Sequence, residues 1–239
     1  MRTSNKILLG TLIAILVVIT AINAALYTKY KRNDFSTMKS LREERYDIHD
    51  IGEVQSVSLI GLGSVTIVPA DTARIEIRKS GFFRVLYQVE KGVLVIKGDS
   101  LINKNNNLPE RIRSYKDVIL YLPSVRNIKA DFSDVSIRSM NKNGKRMDSI
   151  SLELTESSLR LSEDNDHDGR FNKVSITKSS RSSIDINNVA VMDLMLDLED
   201  SQFEENDMTC DHLQINTDKK SSLKLSGRNI ANAKFELKP

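Results

Sequence analysis

Residues 150–161 of the chain read ISLELTESSLRL, which is two short runs of alternating apolar and polar residues separated by a polar step. Strict alternation is typical of β-strands that have one buried face. Ile150, Leu152 and Leu154 would point inward from the first strand, and the two leucines of the second run would do the same. The stretch therefore predicts two strands joined at a corner.

The same two-strand repeat recurs through the second half of the chain. Repeats begin at residues 128, 150, 174, 194, 213 and 233, at intervals of 22, 24, 20, 19 and 20 residues. Such a short repeat cannot bury its apolar residues alone, so its strands must pair with those of the neighbouring repeats. The pattern predicts a mainly β, single-domain β-solenoid (β-helix) over residues 51–239, with coils of about 20 residues. A β-sandwich of short strands is the alternative, and the regular spacing favours the solenoid.

A solenoid fixes which side chains lie above one another. Leu152, Ile176, Leu196 and Ile215 are expected to stack in one interior column, with one residue from each repeat. Thr177, next to Ile176, is expected to face solvent. The Ser- and Asp-rich steps between the strands would turn the corners, because these side chains bond to nearby backbone groups.

An apolar segment precedes the repeats. Ile7 to Tyr27 is a run of 21 residues without a charge, and as a helix it would span about 31 Å, close to a bilayer core of about 30 Å. A cleaved signal peptide is the alternative, although its apolar region is usually only about 7–15 residues long. The sequence predicts a short tail (1–6), one transmembrane helix (7–27) and a charged juxtamembrane linker (28–50).

The orientation of this helix follows from its flanks. The basic residues beyond it (Lys29, Lys31 and Arg32) outnumber the two before it, which by charge alone favours a cytoplasmic C-terminal side. The six-residue tail and the polar strand domain favour the opposite orientation. We therefore expect a single-pass protein of the inner membrane whose C-terminal domain is periplasmic or otherwise extracytoplasmic.

Charge and cysteine content exclude several classes of function. The chain has 35 Lys and Arg against 32 Asp and Glu, and residues 1–45 hold eight of the former and three of the latter. The remaining 27 basic and 29 acidic residues leave the strand region at −2, which does not support nucleic-acid binding. The single cysteine, Cys210, excludes an intramolecular disulfide and a cysteine-based zinc site.

Three stretches carry a family resemblance. GLGSVTI (61–67), VEKGVLVI (89–96) and VILYLPSVRNI (118–128) follow the order of the head GIN domain of bacterial envelope proteins, also known as a candidate auto-transporter adhesin domain. The chain resembles this family over about residues 50–239. The resemblance implies a β-helix with an adhesion or binding role, and it brings no catalytic residues. The chain departs from the family at the turns, where the family's glycine is replaced by Asp134, Ser157, Ser182, Ser201 and Ser221.

One acidic loop offers a candidate metal site. Asp164, Asp166 and Asp168 alternate and are followed by Gly169, an arrangement that can wrap oxygen ligands around Ca²⁺. Counted from Asp164, the twelfth position is Ser175, whereas an EF-hand needs a bidentate Glu there. A full EF-hand is therefore excluded, and the loop is either a weak calcium site or a solvated insertion. No other cofactor is predicted.

The remaining charged groups do not identify a reaction. The carboxylate pairs Glu153/Glu156 and Asp197/Asp200 could flank a sugar, as glycosidases require. A basic middle region is either a solvated face or a contact for acidic glycans or lipid headgroups; its members are Arg111, Arg113, Lys116, Arg138, Lys142, Lys145 and Arg146.

We predict a non-enzymatic binding, adhesion or structural module of the bacterial envelope. Its partners would be the membrane, through the N-terminal helix, and an envelope glycan or protein, but no nucleic acid. The alternatives are a polysaccharide-active enzyme on a β-helix scaffold and an envelope-sensing partner of a membrane regulator.

Overall fold

The computed structural model describes residues 3–32, 38–79, 83–100, 114–139, 147–162 and 169–238. The chain divides into an N-terminal segment, Met1–Arg45, and a β domain, Tyr46–Pro239. The N-terminal segment contains two helices, α1 (Thr3–Lys31) and α2 (Met38–Arg45).

Helix α1 contains the apolar run of the sequence. Its stretch Leu9–Lys31 has a mean hydropathy of 2.4 and is long and apolar enough to cross a membrane. The hydroxyls of Thr20 and Thr28 donate to helix carbonyls one turn back, at 2.7 Å to Leu16 O and 3.0 Å to Ala24 O. These two hydroxyls are thereby satisfied within the helix. The helix predicted over Ile7–Tyr27 is present.

The β domain consists of eighteen described strands and one short helix. Strands β1 to β9 are Tyr46–Asp50, Ser56–Ile60, Leu62–Pro69, Arg74–Arg78, Phe83–Glu90, Val93–Ser100, Ser114–Leu122, Asn127–Asp131 and Asp134–Ile137. Strands β10 to β17 are Ser149–Thr155, Ser158–Ser162, Arg170–Ser180, Ser183–Asn187, Ala190–Glu199, Gln202–Asn206, Thr209–Thr217 and Ser222–Lys224. Helix α3 is Gly227–Asn232 and strand β18 is Ala233–Leu237.

The strands form two large mixed sheets of nine strands each. Sheet I has the order β1-β4-β7-β3-β9-β11-β13-β15-β17, and sheet II has the order β18-β16-β14-β12-β10-β8-β2-β6-β5. Pairing is antiparallel where β4 meets β1 and β7 and where β5 meets β6, and it is parallel elsewhere. From β8 to β17 successive strands alternate between the two sheets, and from β10 onward each pairs with the strand two positions earlier in the chain. The prediction of a mainly β domain is confirmed.

The register places the inward residues as the alternation predicted. Leu152 pairs with Ile176, Ile176 with Leu196, and Leu196 with Ile215. All four are buried, and Thr177 is exposed. The inward residues of both sheets join one hydrophobic core, so each repeat contributes one layer to a shared interior.

The first half of the domain does not stack in chain order. Strand β2 lies between β6 and β8, and β3 lies between β7 and β9. Strands β2 and β3 are therefore enclosed on both sides, and the chain crosses from one side to the other through residues 123–126. Buried Val125 and a 3.0 Å hydrogen bond from Arg126 N to Gln55 O hold this crossing in place.

The linker predicted over residues 28–50 ends earlier in the structure. Residues 46–50 form strand β1, paired antiparallel with β4 from Tyr46 opposite Arg78 to Asp50 opposite Arg74. Only Tyr46 and Ile48 of this edge strand are even half-buried. The alternation is too weak to distinguish a strand from a charged linker in the sequence, so the boundary at residue 51 was placed too late.

Candidate binding surface

The corners between the sheets are held by a ladder of serines. Ser133, Ser157, Ser182 and Ser201 each follow a strand of sheet II and are buried. Each hydroxyl donates to the carbonyl two residues back, at 2.8 to 3.0 Å. The hydroxyls of Ser157, Ser182 and Ser201 each also accept a hydrogen bond from the backbone N–H of the corner serine one repeat earlier, at 3.0 to 3.2 Å. The Ser133 hydroxyl accepts a hydrogen bond from Leu62 N at 3.1 Å. One hydrogen-bonded chain thus connects the repeats at this corner.

Outward from this scaffold, sheet II carries a row of polar uncharged side chains. Asn127 pairs with Ser151, Ser151 with Ser175, Ser175 with Met195, and Met195 with Gln214. The row is polar except at Met195, which is 38% exposed. Hydroxyl and amide groups both donate and accept hydrogen bonds. The row therefore repeats similar hydrogen-bonding groups at the strand spacing of about 4.8 Å.

A second outward row runs beside the first. It contains Ser149, Lys173, Asp193 and His212, which are partners in register across β10, β12, β14 and β16. The two rows line two cavities of about 560 and 330 Å³, and both cavities are lined by Lys173. We call these two adjacent cavities together the sheet II groove. It runs from the crossing residues at Arg126 to Lys234 on β18.

The groove has little net charge. Its lining contains three cations, Arg126, Lys173 and Lys234, and two carboxylates, Asp148 and Asp193, besides His212. This mixed lining lacks the single-sign field that attracts a polyanion. A groove with these side chains suits an extended, hydroxyl-rich ligand of low charge.

Three of the four carboxylates considered for sugar chemistry form ion pairs. Glu153 pairs with Lys129 at 3.8 Å, and Glu156 pairs with Arg181 at 2.6 Å. Asp197 forms an ion pair with Lys238. Each of these carboxylates thus has its own cationic partner, which does not favour the paired acid and base of a glycosidase.

The candidate calcium residues Asp164, Asp166 and Asp168 lie outside the described residues, as do Arg111, Arg113, Lys142, Lys145 and Arg146 of the basic region. Of that region, Lys116 lies in strand β7, and Arg138 lies within the described residues and is half-buried. In the described part of the chain, no group of three or more His, Cys, Asp or Glu side chains could hold a metal ion.

Glu205 and Cys210 are buried titratable groups whose pKa values are shifted. Glu205 pairs in register with Ile186 and is 4% exposed, so a carboxylate occupies an interior position. Burial raises its pKa, but hydrogen bonds donated by the backbone N–H of Ser226 and of Met208 (3.3 Å) outweigh this effect. The net pKa of Glu205 is therefore lowered. The adjacent Glu204–Glu205 pair broke the expected alternation and was the available signal.

Cys210 is the second such group. Burial raises the pKa of its thiol to about 11, so the thiol remains protonated at neutral pH. A protonated, buried thiol is unreactive, and its sulfur contacts the His212 carbonyl at 3.3 Å. Cys210 is therefore a packing residue.

The fold has counterparts among solved structures. Neither a protein-family model nor a curated protein sequence matches the chain. A candidate adhesin from Parabacteroides distasonis ATCC 8503 is similar, with a TM-score of 0.50 and 12% identity over 80% of this chain and 75% of that chain. A candidate lipid-binding protein from the same organism has a TM-score of 0.40 and 12% identity, over 74% of this chain and 80% of that chain. A candidate adhesin from Bacteroides fragilis NCTC 9343 has a TM-score of 0.37 and 8% identity, over 80% and 94%. At 12% identity, the likeness to the first of these concerns the fold alone.

Proposed function

We propose that the chain is a membrane-anchored β-solenoid that binds an envelope glycan along the sheet II groove without chemically altering it. The solenoid interpretation rests on the parallel register from β8 to β18, where each repeat adds one layer to both sheets. On this proposal the protein is a diverged member of the head GIN domain family. Its fold is shared with a candidate adhesin, and a binding or adhesion role accords with that likeness.

Helix α1 is proposed as the anchor. The apolar stretch Leu9–Lys31 is about 35 Å long at 1.5 Å per residue, which suffices for a bilayer core of about 30 Å. Lys29 and Lys31 lie in its last turn, and Tyr27 and Tyr30 lie close by, where basic and aromatic residues meet the headgroups. The β domain would then lie outside the cytoplasm, at the inner membrane of a bacterium.

The groove carries the functional part of the proposal. From β8 to β18 the sheet spans five strand spacings, or about 24 Å, which is long enough for several sugar units of an extended chain. The polar row from Asn127 to Gln214 offers hydrogen bonds to sugar hydroxyls at each strand. Met195 adds an apolar contact for the faces of sugar rings. The rigid ladder of strands would hold these groups in place before binding, which reduces the entropy cost of association.

Blocking the groove tests this function. Ser151→Trp and Ser175→Trp place a large ring in the polar row, and both side chains are only half-buried. Each variant should lose binding to peptidoglycan sacculi and to an array of envelope polysaccharides. Ser183→Trp is the matched control, because Ser183 is an exposed strand serine of sheet I, away from the groove. Equal binding by the groove variants and the control would contradict the proposal.

A further inference from the structure

Strand β18 is the outermost strand of sheet II. In the described part of the chain it has one neighbouring strand, β16, with Phe235 opposite Ile215 and Leu237 opposite Thr217. Phe235 therefore continues the interior column, yet it is 49% exposed, and Leu237 is 65% exposed, whereas Ile215 is fully buried. An edge strand with exposed inward-facing apolar residues is a template for pairing with another strand.

In the described part of the chain, one side of the β18 backbone faces no other strand. Lys238 N donates to Thr217 O at 2.8 Å, so the N–H of Lys238 points toward β16. Neighbouring residues of a strand direct their backbone groups to opposite sides. Ala233, Phe235 and Leu237, an odd number of residues from Lys238, therefore point their N–H and C=O groups toward the open edge.

The side chains of β18 indicate which strand would pair there. On the outer face, exposed Lys234 and exposed Glu236 flank Phe235 on either side. If two copies of β18 run antiparallel with Phe235 opposite Phe235, each Lys234 lies opposite the Glu236 of the second copy. On the inner face, Ala233 lies opposite Leu237. The pattern is self-complementary in charge and in size, as a two-fold symmetric interface requires.

We propose that two copies of the chain pair through β18, antiparallel and centred on Phe235, so that sheet II continues across a two-fold axis. The pairing makes Phe235 a hydrogen-bonded pair across the axis and covers Phe235 and Leu237 of both copies. Lys238 is engaged by Asp197 of the same chain, which leaves Lys234 as the cation for the partner strand. This interface is on the edge of the sheet and leaves the polar row of the groove open.

Disulfide trapping tests the register. The directly opposed residues of a hydrogen-bonded antiparallel pair have Cα atoms about 5.5 Å apart, within the range that a disulfide bridges. We expect the full-length Phe235→Cys protein, in detergent micelles and with Cys210→Ala to remove the native thiol, to form a disulfide-linked dimer on mild oxidation. Met195→Cys in the same background is the matched control, because Met195 is similarly exposed but lies on an inner strand of the same sheet. Equal dimer yields at the two positions would overturn the proposal.

Two further sets of variants test the same register. The first set keeps Phe235, and the second reverses charges in the Phe235→Cys protein. Full-length Lys234→Cys mixed with Glu236→Cys should form a mixed disulfide, whereas either protein alone should form several-fold less. In the Phe235→Cys protein, Lys234→Glu should reduce the dimer yield several-fold, and adding Glu236→Lys should restore it. Lys178→Glu, an exposed change on inner strand β12, should have no effect. The pairing would be refuted if the double charge reversal gave as little dimer as Lys234→Glu alone. It would also be refuted if the mixed disulfide of the Lys234→Cys and Glu236→Cys proteins were no more abundant than the disulfides that each protein forms with itself.

Discussion

Replacing Ser201 by Ala removes the most connected hydroxyl of the corner ladder. Ser201 is 1% exposed. Its Oγ accepts the Ser182 N–H at 3.2 Å and the Ser179 hydroxyl at 3.0 Å, and it donates to Glu199 O at 2.8 Å. Alanine keeps the backbone and the Cβ but offers none of these bonds. The substitution therefore isolates the contribution of the ladder.

The magnitude follows from which groups lose their partners. The Ser182 N–H is left without its acceptor in the interior, which costs about 1–3 kcal/mol for a buried donor. Glu199 O keeps a donor, because Arg181 N still bonds to it at 3.1 Å. The Ser179 hydroxyl can rotate, so its loss adds only about 1 kcal/mol, as for an ordinary hydrogen bond. We expect Ser201→Ala to lower the free energy of unfolding by about 2–4 kcal/mol.

Urea unfolding of a fragment covering the β domain, monitored by circular dichroism, measures the change in the free energy of unfolding. Thermal unfolding of the same fragment gives the change in the thermal midpoint. The thermal midpoint should fall by roughly 4–16 °C, at about 2–4 °C per kcal/mol for a domain of this size. Ser183→Ala is the matched control, since Ser183 is exposed at the start of β13, and such surface changes stay within about 0.5 kcal/mol. If Ser201→Ala costs no more than Ser183→Ala, the ladder does not stabilise the corner and the reasoning is wrong.

Four further predictions follow from the structure and the sequence. Ile176→Asp would bury an unpaired carboxylate and should cost several kcal/mol or the fold, whereas Thr177→Asp on the exposed side should leave the unfolding curve nearly unchanged; equal effects would contradict the register. Folding lowers the pKa of Glu205 from 4.5. Ionised Glu205 therefore stabilises the fold above pH 4.5, and this contribution to the free energy of unfolding is lost as the pH falls through the lower pKa of the folded state. Glu205→Gln should lack this acid-dependent component in unfolding curves taken from pH 7 to 3. If the acidic loop binds calcium, millimolar Ca²⁺ should raise the melting temperature and Asp166→Asn should weaken the rise; an unchanged curve would mean a solvated insertion. If Ile7–Tyr27 is a retained anchor, the protein should stay in the membrane after alkaline washing, and a soluble product beginning near residue 25 would indicate cleavage.

The sequence predicted the repeats well because their signal is local. Alternation places Leu152 and Ile176 inward on their own strands, and the nearly constant repeat length then brings them into the same register. The corner serines were likewise visible as polar steps, although their connection from repeat to repeat required the structure. Ser157 and Ser182 are 25 residues apart in the chain, yet Ser157 N bonds to Ser182 Oγ.

The first half of the domain was less predictable because its pairing is not local. Strand β2 pairs with β6 and with β8, whose pairing segments begin at Val93 and Asn127, so its two neighbours come from distant parts of the chain. Alternation specifies which face of a strand is buried but not which strand lies beside it. The groove was missed for a different reason. Its lining residues, such as Ser149, Lys173 and His212, are brought together by the repeat register, but they are ordinary outward positions that the sequence does not distinguish from a solvated face.

The corners also place residues other than glycine in a strained backbone conformation. Glu156 and Arg181 adopt φ values of 48° and 49°, in the left-handed region that favours glycine, at a cost of about 1 kcal/mol or more each. Each donates its N–H to the next repeat, Glu156 to Ser180 O at 2.9 Å and Arg181 to Glu199 O at 3.1 Å, and the serine that follows adds a second bond through the ladder. Since both bonds are made to the adjacent repeat, a corner is stable only when its neighbour is folded. The bonds donated by Glu156 and Arg181 therefore couple neighbouring repeats, and this coupling should make the repeats unfold cooperatively.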